Sequence, residues 1–116
     1  MEKFNNGGLI RWINTAGFEL VMSNGKHILL DPFLSGNVDG VLCHPMELEE
    51  IKQCDYLLLS HIHIDHAADV ARIQEKFPDV VIFVGDLSAD PLCEWLNINC
   101  ARICRVRSGE VYEFDD

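Results

Sequence analysis

Six consecutive residues, His61-Ile62-His63-Ile64-Asp65-His66, hold three of the chain's five histidines and a carboxylate. Neutral imidazole nitrogens and carboxylate oxygens are borderline-to-hard donors that suit Zn²⁺, and also Mn²⁺ or Fe. In an extended segment alternate side chains point the same way. His61, His63 and Asp65 are then expected to share one side, while Ile62 and Ile64 pack into the core. His66 breaks the alternation where the chain turns into a helix, so its ring is expected to point elsewhere. That arrangement suits two adjacent metals, with His61 and His63 on the first and Asp65 and His66 on the second. A lone histidine is more often a satisfied core or surface residue than a ligand. Three of them with an aspartate at this spacing would, if unpaired, cost desolvation energy and repel one another when protonated. A metal site is the better reading.

The surrounding elements must deliver this cluster. Residues 54–60 read as a buried strand and residues 67–77 as a helix, with Val70, Ile73 and Phe77 on one face and Pro78 helping to stop it. The cluster therefore sits at the carboxyl end of a strand and opens a helix, where α/β scaffolds place their chemistry. Upstream, residues 9–14 and 18–22 read as strands joined by Thr15-Ala16-Gly17. Ser23-Asn24-Gly25-Lys26 is a hairpin signal, and residues 27–30 form a third strand ended by Asp31-Pro32. Residues 35–44 are loop-like. Residues 45–53 read as a short helix whose Glu47, Glu49 and Glu50 suit the positive end of its dipole. Downstream, residues 80–84 form an apolar strand. A helix over 91–96 is capped by Ser88 or Asp90, and Asn97-Ile98-Asn99 is a connection. Two last strands cover 101–106 and 111–114, around Ser108-Gly109.

A β-rich opening followed by alternating helix and strand predicts an α/β (α+β) fold, a mixed sheet with helices mainly on one face. The other face stays apolar and needs a cover.

The His61-x-His63-x-Asp65-His66 pattern resembles the signature of the metallo-β-lactamase superfamily. Its flanks fit: Ile10-Arg11-Trp12-Ile13-Asn14-Thr15-Ala16-Gly17-Phe18-Glu19-Leu20 and Gly25-Lys26-His27-Ile28-Leu29-Leu30-Asp31-Pro32-Phe33 resemble its opening strands. The likeness is greatest to the branch containing ascorbate-phosphate lactonase and related cytoplasmic hydrolases. The resemblance implies that His61 and His63 hold a first metal, and that Asp65 and His66 hold a second. It also implies that Asp65 orients or deprotonates a bridging water as the catalytic carboxylate. It implies a four-layer αβ/βα sandwich of two similar halves, of which residues 1–116 match one amino-terminal half domain. The family's second half supplies further histidines and a bridging aspartate. No histidine follows His66 here.

The chain of 116 residues is one domain at most. A formal charge of −10 argues against binding nucleic-acid backbones or anionic membranes. The opening residues do not resemble a signal peptide, and no apolar run is long enough to span a bilayer. A cytoplasmic protein is expected, with its five cysteines (43, 54, 93, 100 and 104) reduced. Cys100 and Cys104 make at best a weak metal pair. Cys43-His44 before Pro45 are candidate extra ligands from a loop. Asp31 reads as a turn former, although the resemblance places it near the metal site. Asp86 reads as a loop cap, His27 as a surface residue, and Trp12 and Trp95 as core or interface aromatics.

The leading function is a metal-dependent hydrolase of a small-molecule ester, lactone or phosphoester, with one or two Zn ions. Four protein ligands undercoordinate two metals, so completion by a second half or a second copy is expected. The alternatives are a catalytically inactive metal-binding or dimerisation module, and a histidine-triad nucleotide hydrolase. The last needs a third histidine in register, where this chain has Asp65.

Overall fold

The computed structural model describes residues 2–3, 7–34, 37–38, 41–42 and 46–113. In chain order the elements are β1 (Glu2–Lys3), β2 (Leu9–Trp12), β3 (Phe18–Val21), β4 (His27–Leu30), β5 (Asn37–Val38), β6 (Val41–Leu42), β7 (Tyr56–Leu58), α1 (Ile64–Ala67), α2 (Val70–Lys76), β8 (Val81–Gly85), α3 (Asp86–Leu96) and β9 (Ile103–Val106).

β5 and β6 form a small separate hairpin. The other seven strands form one mixed sheet in the order β1-β2-β3-β4-β7-β8-β9. β1 to β4 pair antiparallel, and β4, β7, β8 and β9 pair parallel. The β3–β4 hairpin closes as its sequence predicts, with Gly25 at φ +89° in the left-handed region that a side chain disfavours. The three parallel connections all step towards the same sheet edge. Right-handed crossovers then place every connecting helix on one face.

Strand alternation divides the sheet cleanly. Leu29, Leu57 and Ile82 lie side by side on the helix face, fully buried. They join Ala67, Val70, Ile73, Ala89 and Leu92 of the helices in one core cluster. The opposite face carries the row Trp12, Phe18, Leu30, Leu58, Phe83 and Cys104. A second row on that face runs Ile10, Leu20, Ile28, Tyr56 and Val81. Most of these side chains are only half-buried, because no element among the described residues packs a helix over them. The mixed sheet with helices on one face is as expected.

Several expected boundaries move. The helix expected over 45–53 is a single 3-10 turn, Leu48–Glu50. Glu50 Oε2 accepts the Glu47 N–H at 3.0 Å, after which Ile51 turns extended and buries completely. The helix expected over 67–77 starts earlier and is split at Ala68-Asp69. There the buried Asp69 turns its carboxylate to the Leu34 N–H at 2.6 Å and to Arg72 at 3.1 Å. α3 starts at Asp86, directly after Gly85, and Pro91 lies inside it rather than in its first turn. Residues 111–113 are irregular rather than a strand, and Phe114 lies outside the described residues, as do Cys43, His44 and Pro45. Of the cysteines expected as reduced thiols, Cys93 and Cys100 lie against each other with Cα atoms 6.1 Å apart, within disulfide reach. A bond between them would remove Cys100 from any metal pair with Cys104.

Candidate metal centre

β4 and β7 run parallel and end together. Beyond them the Asp31 N–H donates to Leu58 O at 2.9 Å, and the Leu59 N–H donates to Phe83 O at 2.9 Å. Asp31 sits at φ +41°, a left-handed turn that aspartate tolerates better than most residues. The turn swings its buried carboxylate across to β7's end. There Oδ1 accepts the Ser60 N–H at 2.8 Å and Oδ2 accepts the Ser60 hydroxyl at 2.7 Å. Ser60 Oγ lies 2.8 Å from His61 Nδ1.

The serine hydroxyl has one proton, and Asp31 takes it. Ser60 Oγ must therefore accept from His61 Nδ1–H, which leaves the Nε2 lone pair of His61 free to ligate.

The three imidazoles gather at this point. The His61 and His63 ring centres are 4.5 Å apart, nearly perpendicular at 85°. The His61 and His66 centres are 4.0 Å apart at 50°. His63 is the N-cap residue of α1, still extended at φ −63°, ψ 153°. Helix begins at Ile64, so the expected alternation stops before Asp65. Ile62 packs against the core as predicted, but Ile64 is half exposed. Asp65 is instead set by the helix, with Oδ1 3.6 Å from His66 Nε2. The His66 ring, expected to point differently from His61 and His63, is tilted 50° to His61, and the first turn of α1 sets it beside that ring.

His66 Nδ1 is buried and makes no hydrogen bond, although Asp31 Oδ2 lies 3.4 Å away. Unsatisfied buried polar atoms are rare and need a reason. Among the described residues no group of three or more histidine, cysteine or acidic side chains already surrounds a common metal position. The donor types, the crowding of three rings at one strand end and the orphaned His66 nitrogen nevertheless fit a divalent transition metal. His61, His63, Asp65 and His66 are the residues that would hold it.

Other expected candidates lie elsewhere. Asp86 opens α3 and sits 3.6 Å from both Arg105 and Arg107. His27 is half-buried rather than a surface residue, 3.5 Å from Glu19 Oε2. Glu19 itself is buried and holds Arg11 through Nε at 3.0 Å and Nη2 at 2.7 Å. Trp12 and Trp95 are 61% and 46% exposed, so neither is a core residue. Sequence reasoning missed Ser60 as the link between Asp31 and His61. The only available signal was its place directly before the first histidine. A hollow of about 370 Å³ lies on the open sheet face, lined by Ile28, Tyr56, Leu58, Phe83, Val106 and Tyr112 among others. None of the four metal-type residues lines it.

Comparison with known proteins assigns the class. The family model of the metallo-beta-lactamase superfamily matches residues 18–99, and the chain belongs to that superfamily. Its relatives include the UPF0173 metal-dependent hydrolase of Koribacter versatilis, 34% identical over 80 residues, which are 69% of this chain and 33% of that protein. That of Bacillus thuringiensis is 35% identical over 95 residues, 82% of this chain and 37% of the relative. The matched part thus spans about a third of these relatives' length. Among solved structures, a metallo hydrolase of the hyperthermophilic archaeon Ignicoccus hospitalis superposes with a TM-score of 0.62 at 18% identity. It covers 91% of this chain and 42% of that one, and this likeness shows the fold.

Proposed function

We propose that the chain carries the metal-binding part of a metal-dependent hydrolase acting on a small ester, lactone or phosphoester. The observation that carries this reading is the meeting of His61, His63 and His66 at the end of β7, with His61 fixed through Ser60 by Asp31. The names of the relatives, metal-dependent hydrolases, point the same way. A zinc ion held there, or manganese or iron in its place, would bring a water's acidity near neutrality and polarise the bond to be cleaved.

The chain's own residues do the rest. His61 and His63 would hold the metal through ring nitrogens, and His66 with Asp65 would supply the second pair of ligands. Asp65, partly exposed beside His66 Nε2, holds the attacking water by hydrogen bond and takes its proton at a carboxylate oxygen. The family resemblance favours lactone or phosphate-ester substrates.

Four ligands are too few for two metals. The remaining ligands come from a partner surface that packs on the open sheet face, either a complementary half or a second copy of this chain. The two half-buried apolar rows on that face support this reading. A second reading, a metal-binding and pairing module without turnover, is favoured by the lack of a ready-formed three-ligand group among the described residues.

Assaying the metal-loaded protein on ester, lactone and phosphodiester substrates, with and without chelator, separates the two. Chelator-sensitive turnover supports the hydrolase, and metal uptake with no turnover supports the module. Ultracentrifugation of wild type and Ile28→Glu tests the docking face. Self-association of the wild type that Ile28→Glu abolishes supports a second copy as the cover. A monomer in both cases leaves the complementary half as the occupant.

A further inference from the structure

Cys93 lies in the last turn of α3, and Cys100 opens the 3-10 turn Cys100–Arg102 that leads into β9. Their Cα atoms are 6.1 Å apart, within the ordinary span of a disulfide, at a sequence separation of 7. We infer that this pair is a reversible redox modification site, closed by a low-molecular-weight disulfide such as oxidised glutathione and opened by the corresponding thiol. The inference is independent of the metal site.

Four features support reversibility. First, the turn does not need the bond for its shape. Asn97 takes the left-handed C-cap conformation, and its N–H donates to Cys93 O at 2.8 Å. Asn99 is held on both sides by Gln74: its N–H donates to Gln74 Oε1 at 2.8 Å, and Gln74 Nε2 donates to its carbonyl at 3.1 Å. Second, the reduced state has a partner ready, because Cys100 Sγ lies 3.6 Å from Ile98 O, which accepts a thiol proton. Third, the closed loop is short, so the bond removes less freedom from the unfolded chain than a long-range disulfide would. Fourth, Cys100 is exposed and Cys93 half-buried, open to a small thiol or disulfide, whereas Cys54 is buried.

The exchange balances in two steps. The Cys100 thiolate attacks one sulfur of the small disulfide, forming a mixed disulfide and expelling one thiolate. The Cys93 thiolate then attacks Cys100 Sγ and expels the second. The protein loses two electrons and two thiol protons, and the small disulfide becomes two thiols. The closed bond ties the end of α3 to the start of β9, the edge strand beside β8. It therefore stiffens that edge without touching the histidines.

The test is to equilibrate the folded full chain in a series of reduced and oxidised glutathione ratios, quench with acid, alkylate and map peptides by mass. The expected result is a Cys93–Cys100 cross-linked peptide, lighter by two hydrogens, that rises with oxidised glutathione and disappears in excess reduced glutathione. Amide exchange across residues 94–102 is expected to slow severalfold in the oxidised form. In Cys100→Ser that slowing is expected to vanish, while Cys93 forms only a mixed disulfide. A bond that persists in excess reduced glutathione, thiols that remain alkylatable in excess oxidised glutathione, or redox-dependent protection retained in Cys100→Ser would overturn the inference.

Discussion

Ser60 gives both of its donors to one carboxylate: its N–H to Asp31 Oδ1 at 2.8 Å and its hydroxyl to Asp31 Oδ2 at 2.7 Å. Two parallel strands that end side by side are thereby locked beyond their ladder. Because the hydroxyl proton is spent on Asp31, Ser60 orients His61 as an acceptor of Nδ1–H. A residue that ends one strand thus sets the tautomer of a histidine that follows another.

Asp31→Asn tests this chain of contacts. Asparagine also tolerates positive φ, so the turn survives. The amide has one acceptor oxygen where the carboxylate had two, and its NH₂ faces a donor. Metal affinity is expected to fall about 10–100-fold, measured by competition with a chromophoric chelator, with the thermal midpoint lowered only modestly. Unchanged affinity would remove Asp31 from the account.

Gly17 supports the same aspartate from behind. A Cβ added there meets Asp31 O at 2.7 Å and Asn14 O at 3.0 Å, both backbone atoms that cannot step aside. Gly17→Ala is expected to cost about 1–3 kcal/mol in urea unfolding and to weaken metal binding alongside. A neutral effect on both would show that the close approach relaxes freely.

Much of this architecture was legible in the sequence. The β2–β3–β4 meander followed from alternation and from Asn24-Gly25. The gathering of three histidines at one strand end was legible because the three fall within six residues directly after a strand. What escaped is tertiary. The helix begins at Ile64 rather than at Ala67, straight after the extended His63 and without a side-chain cap, and that start decides where Asp65 points. Asp69 splits a helix because Leu34, 35 residues away, offers it an N–H. Pro91 marks a helix start by propensity, but here the helix begins at Asp86, straight after β8. The Cys93–Cys100 link needs the reversal at Asn97, which no spacing rule reveals.

Cys54 gives the fold an alkaline limit. Burial first, then the carboxylates of Asp55 and Glu19, push its thiol up to about 12 from an ordinary 9.0, against a backbone hydrogen bond at Leu29. Above pH 9 the unfolded chain loses this proton while the folded chain keeps it. The stabilisation is therefore complete below about 9 and is lost as pH rises towards about 12. The steepest loss is about 1.4 kcal/mol per pH unit. Urea midpoints of wild type and Cys54→Ala, compared between about pH 8 and pH 11, should converge as pH rises. Parallel curves would mean that Cys54 is not the titrating group.

The most direct test of the central claim is metal content per chain by elemental mass spectrometry. Wild type should be compared with His61→Ala and His63→Ala, each purified without chelator and checked for fold by circular dichroism. The account predicts about one or two bound zinc, manganese or iron ions per wild-type chain, and their loss from both folded variants. Equal metal content in wild type and variants, or none in the wild type even after incubation with excess zinc, would contradict the assignment of these histidines as the metal centre.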